Sequence, residues 1–147
     1  MPHIIPFQDQ YRDDLLFCHL AAKDALGRRP SINEDLLDIQ ANYFAKGDCF
    51  WIALDDADRV VGMLGVDTIS PTDLWLRRLY VKPGLKRMGI GSMLLAQAEA
   101  FAKEKDVRII HTRFPDSYPE AAVFYPAKGF VDAGESDGLR HMVKALF

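Results

Sequence analysis

Apolar positions along this chain switch between alternating and helical spacing, and each switch marks an element. His3 to Phe7 reads as a short strand. From Gln8 to about Leu26, the residues Tyr11, Leu15, Leu16, His19, Leu20 and Ala22 form one helical stripe, with Asp9 as a candidate cap. Gly27-Arg28-Arg29-Pro30 ends it. Ser31-Ile32-Asn33-Glu34 has the serine-to-glutamate spacing of a capping box. It predicts a second helix to about Phe44, with Leu36, Leu37, Ile39, Gln40, Tyr43 and Phe44 as its stripe. Cys49 to Leu54 and Arg59 to Thr68 read as a hairpin around Asp55-Asp56-Ala57-Asp58. Gly62 and Gly65 in its second strand mark a bulge or a close backbone approach.

Leu74 to Val81 is the next strand. Alternation places Asp73, Trp75, Arg77 and Leu79 on one side of it, provided that no bulge intervenes. Beyond a break at Lys82-Pro83-Gly84-Leu85, the residues Met93, Leu94, Leu95, Ala98, Phe101 and Ala102 define a long helix. Val107 to Arg113 is a strand, with burial at Val107, Ile109 and Ile110. Phe114 to Tyr118 is a loop, and Pro119 suits the first turn of a helix to about Lys128. Phe130 to about Gly134 and Leu139 to Leu146 close the chain as two strands. The order is β-α-α-β-β-β-α-β-α-β-β, in which antiparallel hairpin strands meet a central β-α-β crossover.

Composition narrows the class of protein. The 147 residues are enough for one domain, 1–147, with a real core. The net charge of −3 and the scattered basic residues argue against a nucleic-acid binder. Cys18 and Cys49 imply no disulfide framework and fit a reducing, cytoplasmic setting. The first residues have no signal-peptide pattern, and no window approaches the roughly 18 apolar residues of a membrane span.

The candidate chemistry lies between the third predicted hairpin strand and the long helix, in Lys86-Arg87-Met88-Gly89-Ile90-Gly91-Ser92. A helix start offers backbone N–H groups without intrahelical partners, and the helix dipole adds partial positive charge. Two glycines let an anion approach the backbone, and Lys86 and Arg87 add full charges. A phosphate or pyrophosphate is the expected ligand. Two common phosphate loops fail on spacing. A dinucleotide fingerprint starting at Gly89 needs glycine or alanine where Leu94 stands. A Walker A loop starting at Gly84 needs lysine and serine or threonine where Ile90-Gly91 stands.

The pattern [R/Q]-x-x-G-x-[G/A] does fit from Lys86, directly after Leu79-Tyr80-Val81-Lys82-Pro83. It resembles the acyl-CoA loop of the GNAT superfamily of N-acetyltransferases. Lysine in its first position keeps the charge but loses the planar, forked donor of arginine. A second match follows: Ala121-Ala122-Val123-Phe124-Tyr125-Pro126-Ala127-Lys128-Gly129-Phe130 resembles the family's later signature, A-x-x-[F/L]-Y-x-x-x-G-F. The segment from Phe44 to Trp51 is reminiscent of camello-like acetyltransferases, which carry a membrane anchor.

The resemblance implies a GNAT-like α/β (α+β) fold: a mixed, mostly antiparallel central sheet with a splayed parallel strand pair and about four helices. It implies acetyl-CoA as cosubstrate, no metal, and an amine acceptor. Backbone at Leu79, Tyr80 and Val81 would run along pantetheine, and Lys86, Arg87, Met88, Gly89, Ile90, Gly91 and Ser92 would hold the pyrophosphate. Tyr125 stands where many relatives place a general acid. Its hydroxyl can donate to a departing thiolate, since it stays protonated at neutral pH. For the base, Asp73, His111 and Asp67 are candidates beside an ordered water chain; Trp75 occupies a position where some relatives carry glutamate. Pro119 replaces an asparagine that binds the CoA arm in many relatives, so Ser117 or a backbone group would substitute. Arg28, Arg29, Arg77 and Arg78 could attract a carboxylate on the acceptor, and Phe44, Phe50, Trp51 and Trp75 could line a pocket. The resulting expectation is an N-acetyltransferase acting on a primary amine, with a non-catalytic acyl-CoA sensor as the alternative. Homodimerisation is common in the family.

Overall fold

The computed structural model describes residues 1–29, 31–85 and 88–147. Its strands form a seven-stranded mixed sheet in the order β1-β2-β3-β4-β5-β7-β6. The strands are β1 (His3–Pro6), β2 (Phe50–Leu54), β3 (Val60–Thr68), β4 (Asp73–Val81), β5 (Ile109–Pro115), β6 (Val131–Ser136) and β7 (Leu139–Ala145). Four α-helices are present among the described residues: α1 (Arg12–Ala25), α2 (Ile39–Asn42), α3 (Ile90–Glu104) and α4 (Pro119–Ala127). The fold is thus the GNAT-like mixed α/β arrangement. Chain contacts gather into two compact units, Met1–Asp67 with Arg77–Ala98 and Thr68–Leu76 with Glu99–Phe147.

In the first unit, β1 pairs antiparallel with β2, and β2 with β3 through a register shift at Ala53/Leu54. Every residue of β2 is buried, as is β3 through Val66, so both faces of these strands are covered. One cover is a core of Leu15, Cys18 and Ala22 from α1, Leu36, Ile39 and Tyr43, and Phe50, Ile52, Leu54 and Met63 from the strands. The other is the start of α3. A Cβ on Gly62 would stand 2.8 Å from Ile90 Cγ2, and one on Gly65 would stand 2.6 Å from the Phe50 ring and 2.7 Å from that of Tyr43. The two glycines therefore mark close approaches, and the register shift of this hairpin leaves Val61 of β3, next to Gly62, as the extra residue, since Ala53 pairs with Gly62 and Leu54 with Val60.

Three local readings change. The capping box does not form: Asn33 precedes a 3-10 turn over Glu34–Leu37 and makes no side-chain cap. Asp38 instead caps the one-turn α2 by accepting from the Ala41 N–H at 3.0 Å, and Phe44–Lys46 is a further 3-10 turn. The predicted long second helix is thus three short pieces, whose buried residues Leu36, Ile39 and Tyr43 reach the core while Leu37 and Gln40 stay exposed. Asp9 makes no cap either; it starts a 3-10 turn before α1. Finally, the even alternation of β4 fails at Arg78, whose φ of +60° is left-handed. That conformation is uncommon for a bulky residue. The guanidinium of Arg78 grips the Asp35 carboxylate by three contacts of 2.9–3.2 Å, and the same carboxylate accepts from Tyr43 Oη at 2.5 Å.

In the second unit, β4 and β5 run parallel, with Asp73, Leu74 and Trp75 opposite Ile109, Ile110 and His111. A parallel pair needs a crossover, which α3 supplies. Antiparallel β7 lies on the other side of β5, and the β6–β7 hairpin turns at Asp137 and Gly138, both with positive φ. Such turns match the twist of the flanking strands. Phe114 and Pro115, expected in a loop, belong to β5, because Phe114 packs inward against Tyr125 and Pro115 faces Leu139 of β7.

Two outcomes follow for stability. Gly65→Ala forces a methyl into two aromatic rings, with an expected cost of about 1–3 kcal/mol in chemical denaturation. His19 is fully buried, and burial first, then Lys23 and Arg78, pull its pKa from 6.5 to about 4. The unfolded chain binds this proton first as pH falls, so stability should drop between about pH 6.5 and about pH 4. Denaturation curves of His19→Leu across that window should show a shallower pH dependence than wild type.

Candidate active site

The residues expected to hold a phosphate belong to the first unit. Lys82 N–H donates to Val61 O at 2.8 Å, so β4 stays tied to β3 up to the turn. Leu85 N–H then closes a turn onto Lys82 O at 3.1 Å, with Gly84 at φ +87°. Lys86 and Arg87 lie outside the described residues. Met88 is exposed, and Gly89 follows with φ +79°. Among the described residues, no atom beyond its chain neighbours lies within 4 Å of where a Gly89 Cβ would be. Ile90 opens α3 and is buried, and Met93 N–H donates to Gly89 O at 2.9 Å as a first helical bond. The N–H groups of Ile90, Gly91 and Ser92 precede that bond, so this first turn presents donors without intrahelical acceptors. Packing of Ile90 and Leu94 onto Gly62 fixes where they point.

Leu79 and Val81 are half-buried, whereas the Tyr80 side chain belongs to the core. Its ring packs edge-on to His19 with centroids 4.8 Å apart, and its hydroxyl accepts from Arg28 at 3.3 Å. Of the arginines proposed for an acceptor carboxylate, Arg77 pairs with Asp67 and Arg78 with Asp35. Asp67 also accepts from Lys46 Nζ at 3.1 Å, so this candidate base is held in two ion pairs. Phe50 and Trp51 are core residues, and Phe44 packs against the same core.

The titratable groups of the second unit are connected. His111 Nε2 lies 2.6 Å from Asp73 Oδ2, and His111 Nδ1 lies 2.9 Å from His141 Nε2. The sequence offers Asp73 and His111 as alternatives; the fold joins them in one chain and adds His141. Thr72 Oγ1 donates to Asp73 Oδ1 at 2.5 Å, and the Asp73 N–H donates to Ser70 Oγ at 3.1 Å. The His111 hydrogen bond is the largest cause holding the Asp73 carboxyl below its ordinary pKa. Trp75, where some relatives carry an acid, is a platform instead. Its ring stacks 5.0 Å from both imidazoles, with Arg113 4.8 Å above it. His141 has a lowered pKa, mainly from burial and then from the nearby His111 and Arg113.

Tyr125 lies on the other face of β5. Its ring stacks on Phe114 and meets Phe130 edge-on, and its hydroxyl hydrogen-bonds the Thr112 side chain. Thr112 and Phe114 alternate with His111 and Arg113 along β5, so the candidate acid and the Asp73–His111 pair face opposite ways. Burial raises the Tyr125 pKa. Pro119 is the first residue of α4, where its missing N–H is not required. His141 and Thr112 escaped the sequence reading. Their signal was faint: a histidine and a threonine on predicted strands, with no register to show what they meet. Among the described residues, no group of three or more His, Cys, Asp or Glu side chains could hold a metal ion.

A family model described as the acetyltransferase (GNAT) domain matches residues 46–132. Human N-acetyltransferase 8 is 31% identical over 108 residues, which cover 69% of this chain and 47% of that protein. The probable N-acetyltransferase camello of Xenopus laevis is 30% identical over 100 residues, covering 66% and 45%. The chain thus spans about half the length of these curated relatives. In fold, it matches a GNAT-family acetyltransferase from Staphylococcus aureus Mu50 with a TM-score of 0.90 and 23% identity over 100% of each chain. It also matches the PaiA N-acetyltransferase of Thermoplasma acidophilum in complex with coenzyme A, with a TM-score of 0.79 and 20% identity over 99% of each chain. The chain belongs to the GNAT acetyltransferase family.

One spectroscopic outcome follows from the Asp73–His111 bond. Carbon-13 NMR titration should find the Asp73 carboxyl below the usual aspartate range in wild type. In His111→Ala it should rise toward that range.

Proposed function

We propose that residues 1–147 act as one N-acetyltransferase domain, moving an acetyl group from acetyl-CoA to a primary amine on a small molecule, an amino acid or a protein. Family membership supports acyl transfer from acetyl-CoA. The observation that carries the reading is Gly89: a left-handed residue whose Cβ side meets no other described residue, directly before the first-turn amides of a 15-residue helix, which have no intrahelical acceptors. A pyrophosphate suits such a seat, because partial charge and several N–H donors converge without a side chain in the way.

Acetyl-CoA supplies the thioester-activated acetyl group. Met88 to Ser92 hold the pyrophosphate with Lys86 and Arg87 adding charge, and backbone at Leu79, Tyr80 and Val81 aligns the pantetheine arm. Tyr125 keeps its proton on Oη at neutral pH because burial disfavours the phenolate, and that proton serves the departing sulfur. Asp73 and His111 belong to the base that draws a proton from the amine. Asp73 holds the imidazole in one tautomer. A sensor that binds acyl-CoA without turnover needs no such pair, so the pair favours catalysis. The thiols of Cys18 and Cys49, raised to about 12 and about 11 by burial, fit a reducing cytoplasm.

Calorimetric titration with acetyl-CoA tests the seat. Wild type and Tyr125→Phe should bind, whereas Gly89→Asp should not. Aspartate tolerates the left-handed region better than most residues, so the fold should survive while its charge repels the pyrophosphate. Free-thiol release with spermidine, lysine, 2-phenylethylamine and an alanine-initiated peptide should then show turnover by wild type. Tyr125→Phe should be slower by about 100-fold or more. Folded wild type that fails to bind acetyl-CoA would overturn the reading.

A further inference from the structure

We propose that His141 is the catalytic residue that takes the proton from the acceptor amine and passes its own Nε2 proton to His111, which holds the positive charge beside Asp73. This rests on the acetyltransferase reading and extends it to a residue on β7. The geometry fixes the direction of the relay. Asp73 is an anion, so the His111 Nε2 at 2.6 Å must carry a hydrogen and donate it. Neutral His111 then has its lone pair on Nδ1. The His141 Nε2, 2.9 Å away, must therefore carry a hydrogen in turn. Neutral His141 is left with its lone pair on Nδ1, at the open end of the chain.

The proton balance is simple. One N–H bond of the acceptor breaks as His141 Nδ1–H forms. The His141 Nε2–H bond breaks as His111 Nδ1–H forms. Positive charge ends on His111, with both its N–H groups in hydrogen bonds and a carboxylate beside it; nothing is oxidised or reduced. The groups facing His141 favour its neutral start. His111 and Arg113 on β5 disfavour a cation on His141 itself, Trp75 on β4 stacks on its ring, and its partner across the β6–β7 ladder is Gly134, without a side chain. Asp73 acts through His111.

Glutamine tests the relay, because its amide nitrogen can replace His141 Nε2 as donor to His111 but cannot pass a proton on. With acetyl-CoA and the four amines above, His141→Gln should lower kcat by about 100-fold or more, leave the KM for acetyl-CoA within about twofold, and remove the acid limb of the kcat/KM pH profile. Asp73→Asn should lower kcat as well. Nitrogen-15 NMR of the free protein should find both histidines protonated at Nε2 and bare at Nδ1 at neutral pH. A His141→Gln profile matching wild type, or a His141 proton on Nδ1, would overturn the relay alone. Wild type that turns over none of the amines would overturn the acetyltransferase reading, and the relay with it.

Discussion

Burial of β3 on both faces is the constraint from which the first unit follows, and it depends on two positions without side chains. Gly65 leaves room for the rings of Phe50 and Tyr43, so the α1 side of the core closes onto the strand. Gly62 leaves room for Ile90 and Leu94, so the first turns of α3 lie directly on the opposite face. A helix N-terminus is useful as an anion seat only if its amides are held in place. Here the hydrophobic contact that buries Ile90 holds the first turn of α3, and the residue before it, Gly89, is left-handed.

Arg78 shows how a local backbone cost is offset by surrounding structure. A left-handed arginine within a strand is unfavourable by roughly 1–3 kcal/mol. Its side chain, however, forks onto Asp35, which also accepts from Tyr43, the ring packed against Phe50 over Gly65. Distortion, ion pair and glycine contact therefore share one set of atoms. Asp35 sits in the segment expected to be a regular helix. The break of that helix into short pieces leaves Asp35 facing Arg78, and the carboxylate is held low by Arg78 and Tyr43 against the cost of its burial.

The second unit uses its sheet to sort chemistry by face. Side chains alternate along β5, which puts Thr112 and Phe114 with Tyr125 on one side and His111 and Arg113 with Trp75 on the other. The buried phenol of Tyr125 and the hydrogen-bonded imidazoles of His111 and His141 are thereby kept on opposite faces of β5. Trp75 makes the second environment possible. Two imidazoles stacked against an indole are ordered by ring contacts as well as by hydrogen bonds.

Much of this was legible in the residues. Period and turn chemistry located every strand to within a few residues, and the order of elements gave the β-α-β crossover. The loop around Gly89 and the Tyr125 signature carried the family, since both depend on spacing along the chain. The second helix was misread because Ser31, Glu34 and the apolar positions after them satisfy a helical pattern, while the competing Asp38 cap and the pull of Leu36, Ile39 and Tyr43 into the core are tertiary effects. The Arg78 distortion was equally hidden, because its partner Asp35 is 43 positions away. By itself, then, the sequence determined what is local: periodicity, glycine and proline positions, and the glycine loop that opens α3. Tertiary structure alone decided what depends on register. Only the pairing of β5 with β4 and β7 brings His111 between Asp73 and His141, and a shift of one residue in either ladder would turn those rings to opposite faces.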